Sequence, residues 1–176
     1  MSAYEAIVYD LDGTLVDLDV DWDGVLADVR RVYERANVPA PSGSLWECYE
    51  HAGAVGLLAD VETVISRHER AGAQTSRRLE LAEEALSRSV PVGVCSLNSE
   101  RACKMALATH GLDAVVDAVV GRDTLETQKP HPEPLVTVVR ALAAEPARTL
   151  FVGDSPSDET TARRAGTAFA FVSERT

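Results

Sequence analysis

The chain has 176 residues, of which 45% are hydrophobic and 26% are charged, as in an ordinary globular protein. This length suits one well-packed domain, or a core domain with a small insert. The formal net charge of −11 at pH 7 disfavours nucleic acid and anionic membranes as partners. The sequence has neither a bilayer-spanning apolar run nor a signal-peptide pattern at its N-terminus, so we expect a cytoplasmic protein.

The basic residues are mostly arginine, with lysine only at Lys104 and Lys129. An acidic, lysine-poor chain suits a halophilic host, because a hydrated acidic surface stays soluble in strong salt. A GC-rich genome would give the same arginine bias, so both explanations stay open.

Cys48, Cys95 and Cys103 are the three cysteines, an odd number without a CxxC pair. This pattern argues against a disulfide framework and against a zinc site. Cys95 lies inside an apolar run and is predicted to be a small core residue.

Short β-rich runs alternate with helical patterns along most of the chain. The predicted strands are residues 6–10, 91–96, 114–120, 149–154 and 168–172. Most of them are almost continuously apolar, which indicates strands buried on both faces of a parallel sheet. The predicted helices are about 76–88, 99–110, 133–143 and 156–165. This βαβ rhythm predicts an α/β fold with a doubly wound, Rossmann-like parallel sheet.

Residues 17–74 interrupt this rhythm. They contain no convincing strand, only helical patterns with a loop punctuated by Pro39 and Pro41. We therefore predict two domains. Residues 1–16 and 75–176 would form the α/β core, and residues 17–74 a small α-helical cap, in which Trp22 and Trp46 are expected to serve packing.

Polar residues stand where the predicted strands end. Asp10, Ser96 and Asp154 close three of the strands, and Lys129 lies in a later loop. Asp12 follows Asp10 by two residues. Because open α/β sheets bind ligands beyond the carboxyl ends of their strands, we expect these side chains to converge.

The chemistry of this group points to a metal ion and a phosphate. Carboxylates of Asp10, Asp12 and Asp154 would repel one another, and a divalent cation would relieve that repulsion. Ligands that are all oxygen favour Mg²⁺. Lys129 would add a fixed positive charge, which suits a bound phosphate.

Four stretches of the chain resemble the haloacid dehalogenase superfamily, in its aspartate-nucleophile phosphatase branch with a helical cap. They are "DLDGTLVD" from Asp10, the strand-end Ser96, "GRDTLETQKPHPEPL" from Gly121 and "FVGDSPSDETTARRAG" from Phe151. The phosphoglycolate phosphatase-like subgroup is the nearest. The family often has Asn directly after the strand-end Ser or Thr, where this chain has Leu97.

The resemblance implies that Asp10 attacks phosphorus and forms an aspartyl-phosphate. It implies that Asp12 protonates the leaving alcohol and then activates the hydrolytic water. Asp10, the main-chain carbonyl of Asp12 and Asp154 would hold Mg²⁺. The acid role of Asp12 requires a pKa above its free value of about 3.9, which partial burial would supply.

The resemblance also implies a phosphate site. Ser96, Lys129 and Gly13 would contact the phosphoryl group, and Lys129 would also balance the charge of the nucleophile. Asn98 and Asp158 would hold these phosphate-binding residues in position. Residues 155–158 have the pattern of a capping box as well, so Asp158 is expected to cap a helix, to support the site, or to do both.

The acidic run continues beyond this motif with Asp17, Asp19, Asp21 and Asp23. Its spacing imitates the start of an EF-hand loop, but the twelfth position is Arg30 rather than a bidentate glutamate. We expect these later aspartates to begin the first cap helix, at its positive end.

The predicted function is a Mg²⁺-dependent phosphatase that hydrolyses a small phosphomonoester metabolite through an aspartyl-phosphate. Two alternatives stay open. One is a phosphomutase of similar build, and the other is a non-catalytic protein that binds phosphate and metal. The substrate, the specificity of the cap and the oligomeric state have no readable signal in the sequence.

Overall fold

A five-stranded parallel sheet forms the centre of the computed structural model, which describes residues 4–175. The strands are β1 (Ala6–Tyr9), β2 (Val16–Asp17), β3 (Arg77–Arg78), β4 (Val92–Cys95), β5 (Val116–Val120), β6 (Thr149–Gly153) and β7 (Ala168–Phe171). The helices are α1 (Trp22–Arg35), α2 (Leu45–Ala54), α3 (Leu58–Gln74), α4 (Leu81–Leu86), α5 (Glu100–Thr109), α6 (Glu133–Ala141) and α7 (Pro156–Ala165). The central sheet has the order β5-β4-β1-β6-β7, which confirms the predicted doubly wound α/β fold.

Side chains of β1 alternate between two hydrophobic cores, one on each face of the sheet. Ile7 and Tyr9 pack with residues of α4 and α5. Ala6 and Val8 pack with residues of α6 and α7. All four are buried, as a central strand covered by helices on both faces requires.

The chain changes direction beside β1. From β1 it runs outward through β4 to β5, and it then crosses back to β6 and β7 on the other side. The crevice outside the carboxyl ends of β1 and β6 is therefore the topological switch point, where open α/β sheets bind ligands.

Two predictions for the chain around the insert were wrong. Val16–Asp17 and Arg77–Arg78 pair antiparallel as β2 and β3, although no strand was expected in residues 17–74 and residues 77–78 were expected in a helix. Helix α4 begins at Leu81, not near residue 76. Two-residue strands show no alternation of apolar and polar residues, and this pair forms only because the fold brings the two ends of the insert together.

Helices α1, α2 and α3 have a hydrophobic cluster of their own, which includes Val25, Tyr33 and Ile65. The side chain of Asp21 accepts a hydrogen bond of 3.1 Å from the Gly24 N–H, so the acidic run does cap the first of these helices. The division of the chain into a core domain and a cap domain stays a prediction.

None of the helices within residues 4–175 is both long enough and apolar enough to cross a bilayer. All three cysteines are buried and free. Cys95 packs in the core, as predicted, and burial raises the pKa of its thiol to about 12. A thiol held in this protonated form is a poor nucleophile.

A buried ion cluster joins α3 to the loops that follow β4 and β5. The Arg122 guanidinium donates hydrogen bonds of 2.5 and 3.0 Å to the Glu69 carboxylate and of 2.9 Å to Glu62. It also donates one of 2.6 Å to the main-chain carbonyl of Leu97. Glu69 is 0% exposed and Arg122 only 2%. Helix α3 is thus fixed against the loop at the end of β4.

Replacing Arg122 with Met should destabilise the protein strongly, because Glu69 would remain buried without its counter-charge. We expect the free energy of unfolding to fall by about 3–5 kcal/mol. Arg77→Met is the matched control. It removes an exposed ion pair with Asp17 and should cost at most about 1 kcal/mol. Urea unfolding of both variants measures the difference, and equal losses would contradict a structural role for the cluster.

Candidate active site

Loops from the carboxyl ends of four strands meet in one cleft. Asp10 follows β1, Ser96 follows β4, Asp154 follows β6, and Lys129 comes from the loop after β5. The residues that line the cleft are Asp10, Asp12, Trp22, Trp46, Ser96, Leu97, Asn98, Lys129, Asp154 and Ser155. Sequence reasoning predicted seven of these as site residues or as a departure from the family pattern, and the fold brings them together.

Lys129 lies between two carboxylates at the base of this cleft. Its Nζ is 3.0 Å from Asp10 Oδ1 and 2.5 Å from Asp158 Oδ1, and all three side chains are buried. Burial alone would lower the pKa of Lys129, but Asp10 and Asp158 raise it above its ordinary value. Burial raises the pKa of Asp10, and the Lys129 ammonium opposes that rise. Lys129 therefore favours an ionised Asp10 in a place that disfavours charge.

Three carboxylates stand close enough to share a cation. Oxygen atoms of Asp10, Asp154 and Asp158 all lie within 4.8 Å of one another. Burial raises the pKa of Asp154, and repulsion by Asp158 adds to the rise. A divalent cation would favour the ionised carboxylates, and donors that are all oxygen suit Mg²⁺. The residues present therefore fit the metal that the resemblance implies.

Asp158 uses both carboxylate oxygens within the protein. Oδ1 accepts from Lys129, while Oδ2 accepts from the Ser155 N–H at 3.1 Å and from the Ser155 hydroxyl at 2.7 Å. The Ser155 hydroxyl in turn accepts from the Asp158 N–H, which completes the predicted capping box of α7. Asp158 thus caps a helix and orients Lys129 with the same side chain, and the cation is left to Asp10 and Asp154.

Gly13 makes room for Asp154. Its φ is +79°, in the left-handed region, and a Cβ at this position would lie 2.2 Å from Asp154 Oδ2. Its N–H donates a 2.8 Å hydrogen bond to the Val16 carbonyl. The contact of Gly13 with a phosphate stays a prediction, since its N–H is already bonded within the turn.

Asp12 faces the cleft from the same turn. Its Oδ1 accepts a hydrogen bond of 2.8 Å from the Leu18 N–H, and this bond fixes the direction of the carboxyl group. Burial raises the pKa of Asp12, against the effect of that hydrogen bond. A raised pKa is what the proton-donor role requires.

Ser96 and Asn98 form a closed pair of hydrogen bonds. The Ser96 hydroxyl donates to the Asn98 side-chain oxygen at 3.0 Å and accepts from the Asn98 N–H at 3.1 Å. The Asn98 amide group donates to Glu69 at 3.4 Å, and Glu69 belongs to α3. Asn98 therefore fixes the orientation of the Ser96 hydroxyl, and Glu69 of α3 holds Asn98.

Helix α5 begins without a hydrogen bond from the side chain of its N-cap residue, Ser99, and the nearby Asn98 side chain is engaged with Ser96. Instead, the Ser99 N–H donates to Glu69 at 3.0 Å and the Glu100 N–H donates to Asp123 at 2.7 Å. Two carboxylates distant in sequence satisfy the helix N-terminus, where negative charge is favourable.

Four residues of this region were missed or read as packing. Trp22 and Trp46 were expected to serve packing, but they line the cleft and are each 36% exposed. Glu69 and Arg122 were not singled out at all. Both had a signal: Glu69 occupies a position of the apolar stripe of α3, and Arg122 closely follows the carboxyl end of β5.

Replacing Gly13 with Ala should weaken Mg²⁺ binding, because the added Cβ would displace the Asp154 carboxylate. Gly111→Ala is the matched control, since Gly111 also has a positive φ, of +70°, but no atom within 4 Å of an added Cβ. Both variants should lose roughly 1–2 kcal/mol of stability from the left-handed conformation. Calorimetric titration with Mg²⁺ should show a loss of affinity only in Gly13→Ala, and equal affinities would contradict the role of Asp154.

Several known proteins are similar to this chain in sequence or in structure. The family profile described as haloacid dehalogenase-like hydrolase matches residues 7–172. The pyrophosphatase PpaX of Bacillus mycoides is 28% identical over 181 residues, covering 95% of this chain and 82% of that protein. The PpaX of Bacillus cereus is 36% identical over 94 residues, which is 53% of this chain and 44% of that protein.

Some solved structures are similar to this chain over most of its length. A haloacid dehalogenase-superfamily hydrolase of subfamily IA from Geobacter sulfurreducens has 28% identity and a TM-score of 0.65, over 94% of this chain and 88% of that one. A mutant of CbbY from Rhodobacter sphaeroides, in complex with xylulose 1,5-bisphosphate, has 15% identity and a TM-score of 0.71, over 96% and 85% of the chains. At that identity, CbbY shows a shared fold only. The profile match over nearly the whole chain and the order of the strand-end residues lead to one conclusion: the chain belongs to the haloacid dehalogenase-like hydrolases.

Proposed function

We propose that this protein is a Mg²⁺-dependent phosphatase that hydrolyses a small phosphomonoester. The observation that carries the proposal is the position of Lys129, whose ammonium group lies 3.0 Å from Asp10 at the carboxyl end of the central strand. A buried cation beside a carboxyl group at the switch point of the sheet suits both a nucleophile and an anionic substrate.

Asp10, Asp154 and the main-chain carbonyl of Asp12 would hold Mg²⁺. When bound, the metal would neutralise negative charge on the phosphoryl group during transfer. The Lys129 ammonium would stabilise the same negative charge. Most of the catalytic effect in phosphoryl transfer comes from such positioning and charge stabilisation.

In the first step, a carboxylate oxygen of Asp10 forms a bond to phosphorus as the ester P–O bond breaks. Asp12 gives its proton to the departing alkoxide, which leaves as the alcohol. The Ser96 hydroxyl, oriented by Asn98, would hydrogen-bond a phosphoryl oxygen. Positioning of this kind brings the reacting atoms together before the step begins.

In the second step, Asp12 is a carboxylate and takes a proton from a water molecule. The water oxygen attacks phosphorus, the bond to Asp10 breaks, and inorganic phosphate is released. Asp12 returns to its protonated form and Asp10 to its carboxylate, so each turnover regenerates both groups.

The named relatives support a substrate that carries phosphate. PpaX proteins are named as pyrophosphatases, and the CbbY structure contains a bound sugar bisphosphate. The feature common to them is a phosphoryl group on a small molecule. We extend this feature to the present chain as a small phosphorylated metabolite.

Hydrolysis of p-nitrophenyl phosphate by the wild-type protein tests the proposal, in low and in high salt. We expect turnover with Mg²⁺ and none with EDTA. Asp10→Asn should lower turnover by at least about 1,000-fold, because it removes the nucleophile. Asp113→Asn, at an exposed aspartate before β5, is the matched control and should keep full activity.

The outcomes also separate the alternatives. Activity retained by Asp10→Asn, with contaminating phosphatase and deamidation excluded, would contradict the mechanism. A folded wild type that binds Mg²⁺ but hydrolyses nothing would indicate the non-catalytic binding protein. Hydrolysis that is slow but strongly stimulated by a sugar bisphosphate would indicate the phosphomutase.

A further inference from the structure

Two aromatic side chains face the cleft that contains the proposed nucleophile. Trp22 is the first residue of α1 and Trp46 lies in the first turn of α2, and both line the cleft together with Asp10. They are the only two tryptophans of the chain. Each is 36% exposed, so a substantial part of each ring is open to a ligand.

The cleft has little positive charge to offer beyond a phosphoryl site. Asp10, Asp12 and Asp154 line it, and Lys129 is the one basic residue among its lining side chains in residues 4–175. That lysine is already hydrogen-bonded to Asp10 and to Asp158. The negative charge of the phosphoryl group would pair with Mg²⁺ and Lys129. No cation would then remain in the cleft to pair with a second anionic group.

Arg122 is a basic residue beside Trp46, and its guanidinium is fully engaged. Its guanidinium carbon lies 5.8 Å from the centre of the Trp46 ring, but Arg122 does not line the cleft. Its side chain is 0% exposed and is paired with Glu62 and Glu69. Arg122 therefore packs against Trp46. It cannot contact a ligand in the cleft without breaking its buried ion pairs with Glu62 and Glu69.

On the basis of the proposed function, we infer the chemical class of the leaving group. We propose that it is uncharged and carries an aromatic or other flat apolar ring, which lies against Trp22 and Trp46. Ring faces bind other rings by stacking or edge contacts. A carboxylate or a second phosphate on the leaving group would instead meet three carboxylates and no free cation, which disfavours it.

Tryptophan fluorescence of Asp10→Asn measures this preference without turnover. Because both tryptophans line the cleft, ligand binding should change the emission directly. With Mg²⁺ present, benzyl phosphate should bind at least about fivefold more tightly than ethyl phosphate, since only the benzyl group offers a ring. It should also bind more tightly than 2-phosphoglycolate, whose leaving group carries a carboxylate.

Kinetics of the wild type and of tryptophan variants provide the second test. Benzyl and ethyl alcohols are leaving groups of similar basicity, so a difference in kcat/KM between their phosphates reports the ring contact. Trp22→Leu and Trp46→Leu should lower kcat/KM for benzyl phosphate by about fivefold or more and leave ethyl phosphate nearly unchanged. Leu58→Ala, at an exposed apolar residue that lines a different cavity, should change neither.

Several results would overturn the inference. Higher kcat/KM or tighter binding for 2-phosphoglycolate or pyrophosphate would show that the cleft accepts a second anion. Equal losses for benzyl and ethyl phosphate in both tryptophan variants would show that the rings only exclude water. If no ester is hydrolysed at all, the proposed function fails, while the fluorescence titration still decides whether the cleft prefers a ring.

Discussion

The contact between Lys129 and Asp10 is the interaction on which the rest of the site depends. The fold brings the carboxylates of Asp10, Asp154 and Asp158 to the switch point of the sheet. Burial and the charge of Asp158 both oppose ionisation of Asp10 and Asp154. One buried ammonium group offsets part of that cost. Asp158, which caps α7, holds this ammonium in place. Helix α7, Lys129 and Asp10 are therefore coupled, and the sheet supplies the common edge at which they meet.

Helix α3 contributes through a second set of charges. Glu69 of α3 accepts from Arg122, from the Asn98 amide group and from the Ser99 N–H, all within the interior. This carboxylate connects α3 to the loop that contains Ser96. Separating α3 from that loop would separate buried charges, which costs several kcal/mol. Helix α3 packs with α1 and α2 in one hydrophobic cluster, and the two tryptophans that line the cleft belong to α1 and α2.

The site residues at the carboxyl ends of the strands could be predicted from the sequence. Asp10, Ser96 and Asp154 end apolar strands, and parallel strands have their carboxyl ends at one edge. The contributions of α1, α2 and α3 could not be predicted in this way. Trp22 and Trp46 look like packing residues, because the local sequence does not show that the N-terminal ends of α1 and α2 lie at the cleft. The pairing of Glu69 with Arg122, and of β2 with β3, arises only when distant segments meet.

Chemical identification of the phosphorylated residue tests whether Asp10 is the nucleophile. A reaction with a phosphate ester and Mg²⁺ would be quenched during turnover, reduced with borohydride and analysed by peptide mass spectrometry. Reduction converts an aspartyl-phosphate to homoserine. We expect homoserine at position 10, dependent on both substrate and Mg²⁺. Conversion of a different aspartate, or a phosphoryl group on another side chain, would contradict the assignment of Asp10 as the nucleophile.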